Sequence, residues 1–136
     1  MAQALQWIRS VMPLTYTIDR SLKIVIARAS GVLSEEDLRS SREQIQSDPA
    51  YHPTFAQLFD LSDVTDIEVS IPVMARIAGS SAVAPNARQA FVGVNDIQYE
   101  MARTFATLSE PHHRAVHVFR DRTIAEAWVL EQRADS

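Results

Sequence analysis

The stretch Phe55-Ala-Gln-Leu-Phe-Asp-Leu-Ser-Asp-Val-Thr-Asp-Ile-Glu-Val-Ser-Ile71 decides the fold of this chain. Its apolar run from Phe55 to Leu61 has the length of a buried strand, and apolar residues at helical spacing resume at Ile71. The polar segment between them predicts a loop, and in open α/β sheets the loops after strands carry function. The candidate residues of this interaction or switch loop are Asp60, Ser62, Asp63, Thr65, Asp66, Glu68 and Ser70.

The composition indicates one soluble domain. The chain has 136 residues, 46% of them hydrophobic and 22% charged, and no cysteine for a disulfide or a thiolate site. A net charge of −4 with scattered basic residues argues against nucleic-acid binding, which uses clustered Lys and Arg. No apolar run approaches the roughly 20 residues that span a bilayer, and the N-terminus lacks a signal-peptide pattern. We therefore expect a cytoplasmic protein without stable membrane insertion.

The N-terminal part of the chain predicts an arm followed by the start of the domain. Ala2 to Met12 has a weak amphipathic pattern ended by a proline, so residues 1–13 are predicted to form a helical arm that lies on the domain or on a dimer mate. The domain proper spans residues 14–136. It opens with β-branched runs from Leu14 to Ile18 and from Leu22 to Ala29, spaced as a hairpin around a polar turn.

Capping residues and alternating apolar segments predict the remaining elements. Ser34 and Asn95 stand before helical spacing as N-caps, and Thr123-Ile-Ala-Glu126 has the pattern of a capping box. Further strands are predicted at residues 90–94 and 115–119. The resulting order, ββαβαβαβα, predicts an α/β fold with a mixed, mostly parallel sheet that is opened by the hairpin and covered by helices.

Several short segments resemble the SpoIIAA-like branch of the STAS superfamily in their order and spacing. They are Gly31-Val-Leu-Ser-Glu-Glu-Asp-Leu38, Asp48-Pro49, Phe59-Asp60-Leu61, Met101-Ala-Arg-Thr-Phe105, Val118-Phe-Arg-Asp121 and Glu126-Ala-Trp128. The resemblance covers roughly Leu14 to Val129. It implies a mixed sheet beside helices and non-enzymatic members that bind proteins. It also implies an architecture similar to the CRAL-TRIO lipid-transfer domain, and hence an apolar ligand.

The resemblance also suggests where a switch would lie. Anti-sigma-factor antagonists of the wider family carry an Asp-Ser-Ser-Gly-Leu-like helix start, and phosphorylation of the first serine turns partner binding off. Glu68 and Ser70 match the Asp and the second Ser, whereas Val69 and Ile71 stand at the switch serine and the glycine. Without the first serine, the chain lacks the residue that is phosphorylated in the switch of the wider family. Ser70 could accept phosphate at a helix N-terminus, although its default role there is the N-cap.

The other polar residues form no pattern typical of catalysis or metal binding. His112 and His113 lack the spacing of a metal pair, and His117 is expected to be a half-buried strand residue. The acidic residues from Asp60 to Glu68 could bind a cation or act as acid and base, but turn chemistry with nearby backbone amides is favoured. No nucleophile elbow, P-loop or dinucleotide glycine fingerprint is present. Neither catalytic residues, nor a metal, nor a cofactor is therefore predicted.

Two functions from different classes remain open. The first is a non-enzymatic protein-interaction or regulatory module that docks an unknown partner, or a second copy of itself, through Asp60 to Ile77. The second is a carrier or sensor of a small apolar ligand or lipid in a cavity between sheet and helices. Methionine and aromatic residues at helical spacing usually belong to the core, so the sequence favours the interaction module over the carrier. The candidate pocket residues are Val73, Met74, Ile77, Met101 and Phe105.

Overall fold

Strands and helices alternate along the chain in the predicted order ββαβαβαβα. The computed structural model describes residues 14–79, 83–112 and 115–135, so the predicted arm of residues 1–13 lies outside the described residues. The strands are β1 (Leu14–Asp19), β2 (Ile24–Ser34), β3 (Ala56–Glu68), β4 (Arg88–Val92) and β5 (Ala115–Phe119). The helices are α1 (Glu35–Ser47), α2 (Ile71–Gly79), α3 (Asp96–Ser109) with a 3-10 turn (Glu110–His112), and α4 (Arg122–Asp135).

The sheet has the strand order β1-β2-β3-β4-β5. β1 is antiparallel to β2, and the other neighbours are parallel, which confirms the predicted mixed sheet opened by a hairpin. Some boundaries differ from the prediction. Leu22 belongs to the hairpin turn, where its N–H donates to the Asp19 carboxylate at 2.8 Å, and β4 lies two residues earlier than predicted. β2 continues past Ala29 to Ser34, and it includes Gly31 at a φ of +68°.

The predicted polar loop after Leu61 is wrong, because β3 continues to Glu68. Its second half pairs with the extension of β2, from Ser30 opposite Asp63 to Ser34 opposite Glu68. The register of this ladder shifts twice, once on each side of Gly31. Such shifts interrupt the inside-outside alternation by which a strand is recognised in sequence, so this segment reads as a loop.

Helices cover both faces of the sheet. On one face, Ala125 and Val129 of α4 pack against Leu58, Ala90 and Val92. On the opposite face, α3 packs beside residues of β2 and β3 through Ala102, while α1 and α2 lie over the same side. The parallel strands follow one another in order from β2 to β5. Right-handed crossovers in one direction place their connecting helices, α1, α2 and α3, on the same face.

The helix caps are set by short side chains. Ser34 and Asn95 both form capping boxes, with Asp37 and Gln98 respectively, which confirms the two predicted N-caps. The predicted box from Thr123 to Glu126 is wrong. Asp121 accepts from the N–H groups of residues 123 and 124, at 2.8 and 3.2 Å, so α4 begins before Thr123. The Asp121 side chain therefore caps the helix, and Thr123 lies inside its first turn.

Candidate functional site

A cavity of about 140 Å³ lies between the sheet and helices α1, α2 and α3. Alternate residues of β3 and β4 form its floor, because successive side chains of a strand point to opposite faces. Phe59 stacks on Phe91 with ring centroids 5.3 Å apart, and Phe91 contacts Phe105 of α3 at 5.2 Å. The floor therefore carries a stacked aromatic pair that Phe105 extends from α3, and most of the remaining lining is aliphatic.

Helix α1 contributes one stripe to the wall of this cavity. Positions 38, 41, 42, 45 and 46 line it, a spacing of three and four residues that follows one face of a helix. Leu38 and Ile45 are the two apolar members, whereas the other three, Ser41, Arg42 and Gln46, are polar. The wall from α1 is thus the more polar side of the cavity.

Four of the five predicted pocket residues lie together in this lining. They are Met74 and Ile77 of α2 and Met101 and Phe105 of α3. Val73 is half-buried and does not belong to the lining. The two buried residues of α2, Met74 and Ala78, lie about one helical turn apart, and Val73 lies to one side of them.

Two buried glutamines face the cavity from neighbouring strands. Gln57 of β3 and Gln89 of β4 are Cα partners in the parallel ladder and are 7% and 5% exposed. Within the part of the chain that the structure describes, neither side-chain amide forms a hydrogen bond, and the same holds for the buried hydroxyl of Ser41. Buried polar groups nearly always have a protein or water partner. These three side chains are therefore available to a bound molecule.

The charge in the cavity wall is positive. Arg42 is half-buried in the lining, and burial lowers the pKa of its guanidinium, although an arginine stays protonated near neutral pH. Among the described residues that line the cavity, none is an Asp or a Glu. The electrostatic character of this space therefore favours a neutral or negatively charged molecule over a cation.

The structure does not bring the predicted switch-loop residues together at one site. Six of the seven lie along β3 from Asp60 to Glu68, and Ser70 lies between β3 and α2. Asp63 forms an exposed ion pair with Arg28 at 2.6 Å, and the Asp66 carboxylate accepts from the N–H of Ile67 at 2.9 Å. Thr65 and Glu68 are exposed. Asp60 and Asp66 accept from nearby backbone N–H groups, as predicted, but they do so within a strand rather than in a turn.

Asp60 is an exception within that segment, because it is 3% exposed rather than solvated. One carboxylate oxygen accepts from the N–H and hydroxyl of Ser62, at 2.9 and 2.6 Å, and the other accepts from Arg122 at 2.9 Å. Burial alone would raise the pKa of Asp60, but these hydrogen bonds and the guanidinium outweigh it and hold the pKa below its usual value. Arg122 also bonds Glu126, which raises the pKa of the guanidinium. This cluster ties α4 to the sheet.

Gln98 joins α3 to the second half of β3. Its side-chain oxygen accepts from the N–H groups of Val94 and Asn95, at 2.9 and 3.3 Å. Its nitrogen donates to the carbonyls of Ser62 and Val64, at 3.2 and 2.8 Å. The amide is 2% exposed and uses all of its hydrogen-bonding groups. No pattern in the sequence indicated this contact beyond the position of Gln98 three residues after a cap.

The start of α2 presents an exposed polar and apolar surface. Ser70 is exposed, and its hydroxyl accepts from the N–H of Val73 at 3.4 Å, a long contact for the predicted cap. Ile71, which follows it, is 61% exposed. Val69, at the position of the family's switch serine, is buried and lines the cavity. A switch at that position would therefore act from inside the domain.

None of the described histidines lines the cavity. His117 is exposed rather than half-buried as predicted, and its ring stacks on Trp128 with centroids 4.4 Å apart. The guanidinium of Arg88 lies over the same Trp ring at 5.0 Å. His112 is exposed, and His113 lies outside the described residues. Within residues 14–79, 83–112 and 115–135, no three His, Asp or Glu side chains are grouped as metal ligands.

Comparison with known proteins identifies the fold. None of the helices in the described ranges has the length and apolar character to cross a membrane. No family model and no curated protein matches the chain. The crystal structure of an uncharacterized protein of the DUF3478 family from Shewanella loihica PV-4, described as having a SpoIIAA-like fold, matches with a TM-score of 0.59. Its sequence identity is 17%, over 85% of this chain and 93% of that chain. The chain therefore has a SpoIIAA-like fold, as its motifs predicted.

Proposed function

We propose that this chain binds a small apolar molecule in the cavity under α1, α2 and α3, as a carrier or sensor of that molecule. The supporting observation is the cavity itself. Protein interiors are close-packed, whereas here a largely apolar lining surrounds a space of about 140 Å³. A ligand with an apolar body would pack against this lining and remove it from water.

The size and lining of the cavity set the scale of the ligand. An apolar cavity of about 150 Å³ engineered in another protein takes up benzene. A space of about 140 Å³ lined by Phe59, Phe91 and Phe105 therefore suits an aromatic ring or a short branched chain. The flexible side chains of Met74 and Met101 can adapt to either shape.

Methionine methyl groups provide a direct readout of binding. The chain has four methionines, and two of them, Met74 and Met101, line the cavity. We expect toluene, added to protein labelled with ¹³C at the methionine methyls, to shift these two signals in a saturable manner. Met74→Leu and Met101→Leu assign the signals. If neither methyl signal shifts at any toluene concentration up to its solubility limit, the proposal is contradicted.

A cavity-filling variant separates binding in the cavity from binding elsewhere. Ala102 is 3% exposed and lines the cavity, so Ala102→Leu should occupy part of the space and weaken toluene binding at least tenfold. The matched control is Ala75→Leu, which adds the same atoms on an exposed position of α2 and should leave the affinity unchanged. Equal affinities for the two variants would place the toluene outside the cavity.

A protein-interaction module is the second candidate, and the exposed surface at the start of α2 favours it. Ile71 leaves 61% of its surface in water beside the exposed Ser70, on the segment where the resemblance places partner binding. Single exposed apolar residues are common, so this surface supports the candidate less strongly than the cavity supports a ligand.

Two substitutions at Ser70 test the module. If this surface docks a partner, Ser70→Asp should weaken binding to a protein recovered by pull-down while stability stays nearly constant, because Asp is also a good N-cap. If Ser70 only caps α2, Ser70→Asp leaves affinity unchanged. Ser70→Val is the matched control: it removes the cap without adding charge, and should cost about 1 kcal/mol of stability or less.

A further inference from the structure

We infer that the ligand of this cavity carries a carboxylate, which Gln57 and Gln89 bind through their side-chain amide N–H groups. The inference rests on the proposed function and adds the chemical class of the ligand. Its starting point is the contrast between an apolar cavity and the three buried polar side chains that face it: Ser41, Gln57 and Gln89.

The two glutamines are placed to bind one group together. They are Cα partners on parallel strands, and such strands lie about 4.8 Å apart. Their side chains leave the sheet on the same face, since both line the cavity. A carboxylate has two acceptor oxygens, so each amide can donate to a different one. An aliphatic ligand without polar atoms would leave both amides buried without partners, which costs about 1 to 3 kcal/mol for each.

The charges in the wall select a carboxylate over other polar groups. Arg42 lines the same cavity, and none of the described lining residues is acidic. Hydrogen bonds to an ionised acceptor are roughly twice as strong as those between neutral groups. A protonated ligand amine would face the positive charge of Arg42, and like charges in a partly buried site repel.

The volume restricts the rest of the ligand. A space of about 140 Å³ holds a body near the size of benzene, which is smaller than the chain of a membrane lipid. A compact aromatic or short branched carboxylic acid therefore meets the three constraints of shape, hydrogen bonding and charge. Benzoate is a suitable probe because toluene and benzamide are its apolar and neutral polar counterparts.

The test compares the affinities of toluene, benzamide and benzoate at neutral pH, read from the methyl signals of Met74 and Met101 in the full chain. We expect benzoate to bind at least tenfold more tightly than toluene. In the double variant Gln57→Leu/Gln89→Leu this preference should fall below threefold, while toluene still binds. In Arg42→Gln, benzoate should lose affinity and benzamide should not.

Each other outcome has a definite meaning. If toluene binds and benzoate binds no more tightly, the ligand has no carboxylate preference, and the inference is overturned while the proposed function stands. A benzoate preference that persists in the double variant also overturns it, because the glutamines then do not bind the carboxylate. If none of the three probes binds, both the inference and the proposed function fail.

Discussion

Gln57 and Gln89 lie opposite each other in the parallel ladder of β3 and β4, and their amides form no hydrogen bond within the described residues. Gln98 is buried to a similar degree, yet its amide makes four hydrogen bonds. Gln98 thus joins α3 to β3, whereas the amides of Gln57 and Gln89 remain available to a bound molecule. This contrast underlies the assignment of the cavity as a ligand site.

The contrast predicts opposite effects of the same substitution. In ligand-free protein, Gln57→Leu or Gln89→Leu should raise the free energy of unfolding by about 1 kcal/mol, because an apolar side chain of similar size replaces an unpaired amide. Gln98→Leu should lower it by about 3 kcal/mol, since it leaves the carbonyls of Ser62 and Val64 without their donor. Urea unfolding of the three variants measures these changes. A loss of stability in the first two comparable to that in Gln98→Leu would show that the pair has structural partners.

A second prediction concerns the close approach of β4 and α3 at Gly93. A Cβ atom on Gly93 would lie 2.7 Å from the backbone nitrogen of Tyr99 and 2.8 Å from the carbonyl carbon of Gln98. Gly93→Ala should therefore cost about 2 to 3 kcal/mol by forcing the helix away from the strand. The control is Gly79→Ala, where the nearest atom is Nε2 of the His112 side chain at 3.3 Å. Thermal unfolding should show little change for this control, and equal losses at both positions would refute the tight contact.

A third prediction concerns the ion pair of Asp60 and Arg122, whose atoms are 2.9 Å apart. Asp60→Asn should cost about 2 kcal/mol at pH 7 by removing a charged acceptor from a buried site. Because folding lowers the pKa of Asp60, its carboxylate stabilises the fold above the unfolded-state pKa of about 3.9, and this contribution is lost as the pH falls through the folded pKa. The stability difference between wild type and variant should therefore shrink on acidification.

Urea unfolding from pH 7 down to about pH 2 follows this difference. The matched control is Asp63→Asn, whose ion pair with Arg28 has side chains 51% and 54% exposed. An exposed pair contributes about 0 to 1 kcal/mol, so this variant should stay close to wild type at every pH. A constant cost of Asp60→Asn down to the lowest pH would mean that the carboxylate charge is not what stabilises the site.

Local signals in the sequence were sufficient for the order of elements and two of the helix caps. Ser34 and Asn95 act through residues three positions away, so their roles can be read without the fold. Thr123 was assigned as a cap by the same reasoning, and failed because Asp121 lies nearer the true start of α4. Helical spacing placed Met74, Ile77, Met101 and Phe105 on inward helix faces, and the resemblance to lipid-transfer domains suggested the cavity.

Features that depend on distant partners were beyond the sequence. The strand character of residues 62–68 requires the bulged extension of β2, and Arg122 is 62 positions from the Asp60 that it contacts. Gln57 lies within a predicted strand and Gln89 just before the strand predicted at residues 90–94, and neither is a predicted site residue. Their pairing depends on the register between β3 and β4, which no local pattern determines.

The most direct test of the account is a crystal structure determined under xenon pressure, because xenon enters apolar cavities and is located by its scattering. We predict a xenon atom in the cavity near the rings of Phe59 and Phe91 and the side chain of Met101. The same experiment on Ala102→Leu should show reduced or no occupancy. A wild-type structure in which these side chains close together and xenon is absent would contradict the claim that this fold keeps a space for a ligand.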